Sequence, residues 1–304
     1  MKKVVVIIGP TAVGKTALSL AVAEHFKGEI ISGDSIQVYR ELNIGSAKLP
    51  LEEQRNIPHH LIDIRNLDAS YNVADFQKEC RLLITDITAK GHLPIITGGT
   101  GFYIKAALFD YIFEDEDIET AADQTGWADF TNEELHARLM EADPLTAGQI
   151  HPHNRKRLIR ALEMVRAGHQ RSTVLAQQKH EMIYDAYLIG LTLNREELYQ
   201  RIDRRVDQMM DSGLQEEVRQ LREKNPGLFD YQSMQGIGYR EWQAYYNGQA
   251  SVDAVIAEIK KHSRQFAKRQ YTWFNNQLPV NWYDIEDDMY LVKINNDLTR
   301  WFNE

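Results

Sequence analysis

An apolar, β-branched run, Val4-Val5-Val6-Ile7-Ile8, leads straight into Gly9-Pro10-Thr11-Ala12-Val13-Gly14-Lys15-Thr16. The spacing G-x-x-x-x-G-K-S/T closes backbone N–H groups around phosphate oxygens and sets the positive end of a following helix behind them. Ala17 to Phe26 reads as that helix, and the run before the loop as a buried strand. Lys15 is expected against a terminal phosphate, with Thr16 holding a magnesium ion. The loop specifies a ligand class, phosphate or diphosphate, and leaves the reaction open, because kinases, NTPases and some transferases all use it.

Further strands are expected at Glu29–Ser32, Leu61–Ile64, Pro94–Thr97, Ala186–Leu191 and, as an edge, Val280–Ile285, with helices between them. Strands alternating with helices imply an α/β fold, a P-loop NTPase-like parallel sheet flanked by helices, whose ligands gather at the carboxyl ends of strands. Gly33-Asp34-Ser35 and Gly98-Gly99-Thr100-Gly101 both fall at such ends. Between about Asp110 and Asp185 the periodicity turns helical, with Leu158, Leu162 and Val165 on one stripe. Residues 1–110 and 186–304 are thus expected to form the P-loop core, and 111–185 a mainly helical insertion domain.

The net charge of -9 argues against a polyanionic partner, but its distribution does not. Acidic residues concentrate between Asp110 and Glu119, whereas Arg155, Lys156, Arg157 and Arg160 cluster, as do Lys260, Lys261, Arg264, Lys268 and Arg269. Lys260, Arg264 and Lys268 recur every four residues on one expected helix and lead into Tyr271, Trp273 and Phe274. Cations beside aromatics suit single-stranded nucleic acid; a solvated charged face ending in core aromatics is the competing reading. The lone Cys80 excludes an internal disulfide and a cysteine zinc site. The five apolar residues after Met1-Lys2-Lys3 are too few for a signal-peptide core or a membrane span, so a cytoplasmic protein with no membrane partner is expected, and nothing calls for more than a monomer.

In order, and over nearly the whole chain, these motifs resemble those of the bacterial tRNA dimethylallyltransferases. The resemblance rests on Gly9 to Thr16, Asp34-Ser35-Ile36-Gln37-Val38-Tyr39, Ile44-Gly45-Ser46-Ala47-Lys48, Pro58-His59-His60-Leu61, Gly98 to Tyr103, Asn154 to Leu162, Gly236-Ile237-Gly238-Tyr239 and Arg264 to Phe274. It implies transfer of a dimethylallyl group from dimethylallyl diphosphate to N6 of the adenosine beside the anticodon, position 37, in tRNAs reading codons that begin with U. The phosphate loop, Gly9, Pro10, Thr11, Ala12, Val13, Gly14, Lys15 and Thr16, would then hold prenyl diphosphate, and would not mark ATP consumption. Relatives usually carry Thr where Ser46 stands, and an arginine near the start of the insertion, where this chain has none before Arg138.

An exocyclic adenine amine is a poor nucleophile, and a carboxylate at a strand end can orient it and accept its proton. The resemblance places Asp34 in that role; a magnesium-linked or capping aspartate is the alternative. It names Arg205 as the diphosphate clamp, with Arg201 and Arg204 close by in sequence, and sets Thr100 near the reacting centre, where a plain turn residue is the alternative. It also implies contact with the tRNA anticodon stem-loop from Asp34, Ser35, Ile36, Gln37 and Thr100; from Lys156, Arg157, Leu158, Ile159 and Arg160; from Gln235, Gly236, Ile237, Gly238, Tyr239 and Arg240; and from Lys268, Arg269, Gln270, Tyr271, Thr272, Trp273, Phe274 and Asn275. A small-molecule kinase, a nucleotide-switched RNA-binding protein and a prenyltransferase acting on free adenine nucleotides share parts of the pattern. None of the three gives a task to every motif.

Overall fold

The computed structural model describes residues 1–113, 124–168, 172 and 179–304; the acidic residues Glu114 to Glu119 lie outside these. The chain divides into two compact units, Met1–Leu108 with Met182–Glu304, and Phe109–Glu181. In chain order, β1 (Lys3–Ile8), α1 (Lys15–Phe26), β2 (Gly28–Ser32), β3 (His59–His60), α2 (Val73–Ala89), β4 (Leu93–Thr97) and α3 (Gly101–Leu108) begin the larger unit. The smaller unit carries α4 (Asn132–Ala142), α5 (Pro144–Gln149) and α6 (Arg155–Arg166). The larger unit then resumes with β5 (Asp185–Thr192), α7 (Arg195–Asp211), α8 (Leu214–Lys224), α9 (Trp242–Tyr246), α10 (Val252–Gln277), β6 (Asn281–Asp284) and α11 (Tyr290–Asn303).

The six strands form one sheet in the order β3-β2-β4-β1-β5-β6, and every neighbouring pair is parallel. Helices cover both faces of such a sheet, so its central strand is apolar throughout: Val4 to Ile8 are completely buried. Because β4 lies between β2 and β1, the three loops at their carboxyl ends converge. Gly98–Gly101 thereby sits between the phosphate loop and the Gly33–Ser35 turn.

The third strand is His59–His60, not the Leu61–Ile64 expected from its apolar residues. Leu61 and Asp63 take positive φ angles of 61° and 57°, which end the extended backbone. His60 and His92 instead meet the buried Glu29 of β2, each with a ring nitrogen 2.7 Å from one of its carboxylate oxygens. Burial pushes the Glu29 carboxyl up, but the hydrogen bonds from His92 and His60 outweigh it and hold its pKa below the usual range.

In the smaller unit Leu135, Leu139, Ala147, Ile150, Leu158, Ile159 and Leu162 form a separate apolar core. Thr131 and Glu134 close a capping box at the start of α4. Arg155 belongs to this scaffold: its guanidinium donates to the carbonyls of Trp127, Ala128 and Phe130 and to the side chain of Asn132. It is withdrawn from the basic cluster read in the sequence, while Lys156, Arg157 and Arg160 stay exposed on α6.

Candidate active site

Gly9 leaves β1 with φ 145°, and a Cβ there would stand 2.7 Å from the carbonyl oxygen of Leu191 on β5, so the chain turns through a space only glycine fits. Gly14, at φ 103°, then opens α1, whose first turn holds no acidic residue to offset the helix dipole. Lys15 Nζ donates to the carbonyls of Gly9 and Pro10 at 3.0 and 2.7 Å, folding the ammonium back over the loop. Its pKa falls to about 7, chiefly through burial and further through the cation of Arg205, with Asp34 opposing.

Asp34 follows β2. Its Oδ1 accepts the N–H groups of Ile36 and Gln37 at 2.8 and 3.4 Å, so one oxygen does cap the local turn. Oδ2 has no hydrogen-bond partner among the described residues. Thr100 laces this turn to its neighbour: its hydroxyl accepts the Ser35 N–H at 3.2 Å, and its own N–H donates to Gly33 O at 3.2 Å. Gln37 takes the Ser32 hydroxyl and donates to Ser46 O, which ties the loop to the Ile44–Lys48 motif.

Three arginines stand close together on α7. Arg201 and Arg204 both pair with Glu197, at 3.1 and 3.0 Å. Arg205 has no hydrogen bond or ion pair among the described residues, and its pKa is lowered by burial and supported by Asp34. Lys15, Asp34 and Arg205 therefore share one electrostatic neighbourhood, which the sequence separates by 190 positions.

The cationic stripe of α10 divides. Lys260 pairs with Asp207 at 2.6 Å and Arg264 with Asp203 at 2.5 Å, so these two cations zip α10 to α7 and do not form part of an open basic face. Lys268, Arg269, Tyr271, Thr272 and Asn275 are exposed beyond the zip. Gln270 is 5% exposed and Phe274 wholly buried, so neither presents its side chain outward. Tyr239, Leu158 and Ile159 are buried as well. The first fills a close contact with Gly45, and the other two face the apolar core of the smaller unit.

One organising residue escaped the sequence reading. Glu217 of α8 accepts the N–H groups of Asn43, Ile44 and Gly45 at 3.1, 2.9 and 3.3 Å, and the Tyr239 hydroxyl at 2.7 Å. The Tyr239 oxygen in turn accepts the Ser46 N–H at 3.2 Å. Two motifs nearly 200 residues apart are thus joined by a glutamate with no motif of its own.

The model of the IPP transferase family matches residues 37–277. The chain is also 48% identical over 301 residues to a tRNA dimethylallyltransferase of Anoxybacillus flavithermus, covering 99% of this chain and 96% of that one. This chain belongs to the tRNA dimethylallyltransferase family. It is therefore an enzyme of the prenyltransferase class. A family member from Geobacillus kaustophilus is 49% identical over 291 residues, covering 94% and 91%. Among solved structures, the tRNA delta(2)-isopentenylpyrophosphate transferase of Staphylococcus epidermidis superposes with a TM-score of 0.74 at 43% identity, covering 99% of each chain. A eukaryotic dimethylallyltransferase acting on tRNA superposes with a TM-score of 0.85 at 29% identity, covering 99% of this chain and 80% of that one.

Proposed function

We propose that this enzyme transfers the dimethylallyl group of dimethylallyl diphosphate to N6 of adenosine 37, beside the anticodon of cytoplasmic tRNAs that read codons beginning with U. The observation that carries the reading is the Asp34 carboxylate, one oxygen spent on its turn and the other unengaged, in the field of Lys15 and Arg205. The N6 lone pair attacks the allylic carbon while the carbon–oxygen bond breaks and diphosphate departs with the electron pair. Asp34 takes the proton that N6 loses. Lys15, the loop amides and Arg205 meet the growing charge on the leaving group, and Thr100 holds the Asp34–Ser35 turn in place.

Thr16, in the first turn of α1, has an exposed side chain and no hydrogen-bond partner for its hydroxyl among the described residues, and it would hold a magnesium ion. Such an ion would supply further charge neutralisation to the leaving group. The exposed Lys268 and Arg269 of α10, and Lys156, Arg157 and Arg160 of α6, suit phosphates of the anticodon stem-loop. No helix among the described residues is long and apolar enough to cross a membrane.

Incubation with labelled dimethylallyl diphosphate and either unmodified tRNA or AMP, alongside ATP alone, tests the reading. Label is expected in tRNA and not in AMP. ATP turnover without prenyl transfer would overturn it.

A further inference from the structure

Gln270 lies in a segment whose neighbours Lys268, Arg269, Tyr271 and Thr272 face outward, yet its own side chain is 5% exposed. Both ends of its amide are engaged. Oε1 accepts the N–H of Thr11, in the middle of the phosphate loop, at 3.0 Å. Nε2 donates to the carbonyl of Gly99 at 3.0 Å. The fit is close enough to dictate the partner's identity, because a Cβ on Gly99 would stand 2.1 Å from that nitrogen. One helical turn later, Trp273 fills the space above Gly101, where a Cβ would meet its ring at 2.3 Å. Near its middle α10 grips Asp203 and Asp207 of α7, the helix that carries Arg205, through Arg264 and Lys260.

We infer that Gln270 is a positioning residue for the prenyl diphosphate: by clasping Thr11 and Gly99 it sets the phosphate loop against the Gly98–Gly101 loop, and it makes no contact with RNA. The inference rests on the proposed function. At neutral pH this takes an amide, since one end must accept and the other must donate. A carboxylate in its place offers two acceptors, repels the Gly99 carbonyl and adds negative charge beside an anion site. A protonated carboxyl restores the donor.

The test measures binding of inorganic pyrophosphate with magnesium by calorimetry, and of an anticodon stem-loop RNA by filter binding, for the intact protein and two variants. Gln270→Leu keeps the volume and loses both hydrogen bonds. It is expected to weaken pyrophosphate binding roughly tenfold, the scale of one or two hydrogen bonds, and to raise KM for dimethylallyl diphosphate likewise, with RNA affinity within about twofold. Gln270→Glu is expected to bind pyrophosphate best near pH 5 and progressively worse as its carboxyl ionises, relative to the unaltered protein at each pH. This series carries the test even where Gln270→Leu folds poorly. Unchanged pyrophosphate binding by Gln270→Leu, or loss of RNA affinity with pyrophosphate binding intact, would overturn the inference. Failure of the unaltered protein to bind pyrophosphate would overturn the proposed function, and the inference with it.

Discussion

Arg264 of α10 and Asp203 of α7 form an ion pair at 2.5 Å, two positions before Arg205. Both partners are about one-third exposed, so the pair is worth little as stability, on the order of 0.5–1 kcal/mol after solvent screening. Its consequence is geometric, because it helps fix the rotation of the helix from which Arg205 projects. Arg264→Ala and Asp203→Ala are each expected to raise KM for dimethylallyl diphosphate by roughly two- to fivefold, and the double variant no further. Steady-state kinetics on the four proteins of the cycle provide the measurement.

Arg205 itself should not tolerate lysine. Among the described residues its side chain has no hydrogen-bond or ion-pair partner that would hold an ammonium in place, and a guanidinium can engage two phosphate oxygens at once. Arg205→Lys is expected to lower kcat/KM roughly tenfold to a hundredfold. Arg201→Lys and Arg204→Lys, which keep a cation beside Glu197 on the helix surface, should stay within about twofold. Comparable losses at all three positions would count against a distinct role for Arg205.

Asparagine at position 34 retains an oxygen for the Ile36 and Gln37 amides and removes the proton acceptor. Asp34→Asn should therefore fold normally, bind pyrophosphate and RNA within a few-fold of the unaltered protein, and lose roughly a hundredfold to ten-thousandfold in kcat. Single-turnover assays with saturating RNA separate this outcome from a binding defect.

The Lys15 pKa of about 7, well below the ordinary 10.5, means that the folded protein releases this proton at lower pH than the unfolded chain does. Between those values the unfolded state binds more protons, so stability rises with pH across the window, and below it the buried charge is a standing cost. Lys15→Met is expected to raise the melting temperature, by more at pH 6 than at pH 9. Thermal unfolding of both proteins across that range is the check; an equal shift at every pH would contradict the assignment.

Removing the Glu217 carboxylate leaves three backbone amides and the Tyr239 hydroxyl without their acceptor. Glu217→Ala is expected to cost about 2–3 kcal/mol in urea unfolding, at the upper end for a charge-assisted cluster partly open to water. RNA binding should weaken as well, since the displaced loop carries the Ser46 carbonyl that positions Gln37.

The phosphate loop was legible because its physics is local: β-branched residues make a buried strand, and glycines at fixed spacing permit the turn that follows. Asp34 and Thr100 could be placed at strand ends for the same reason, as could β6 on the sheet edge. The β3 assignment failed where composition and backbone parted: Leu61–Ile64 looks like a strand by its side chains but contains two left-handed residues.

What the sequence determined by itself was therefore the strand-loop-helix unit, the α/β alternation and the family, each carried by residues near one another or by motifs in order. Tertiary structure alone decided that Lys260 and Arg264 are spent on α7, that Gln270 points inward, and that Glu217 gathers the Asn43–Gly45 amides. Spacing along a helix places a side chain on a face, but only the packing of a second helix or a distant loop determines whether that face meets water, a carboxylate or a backbone amide.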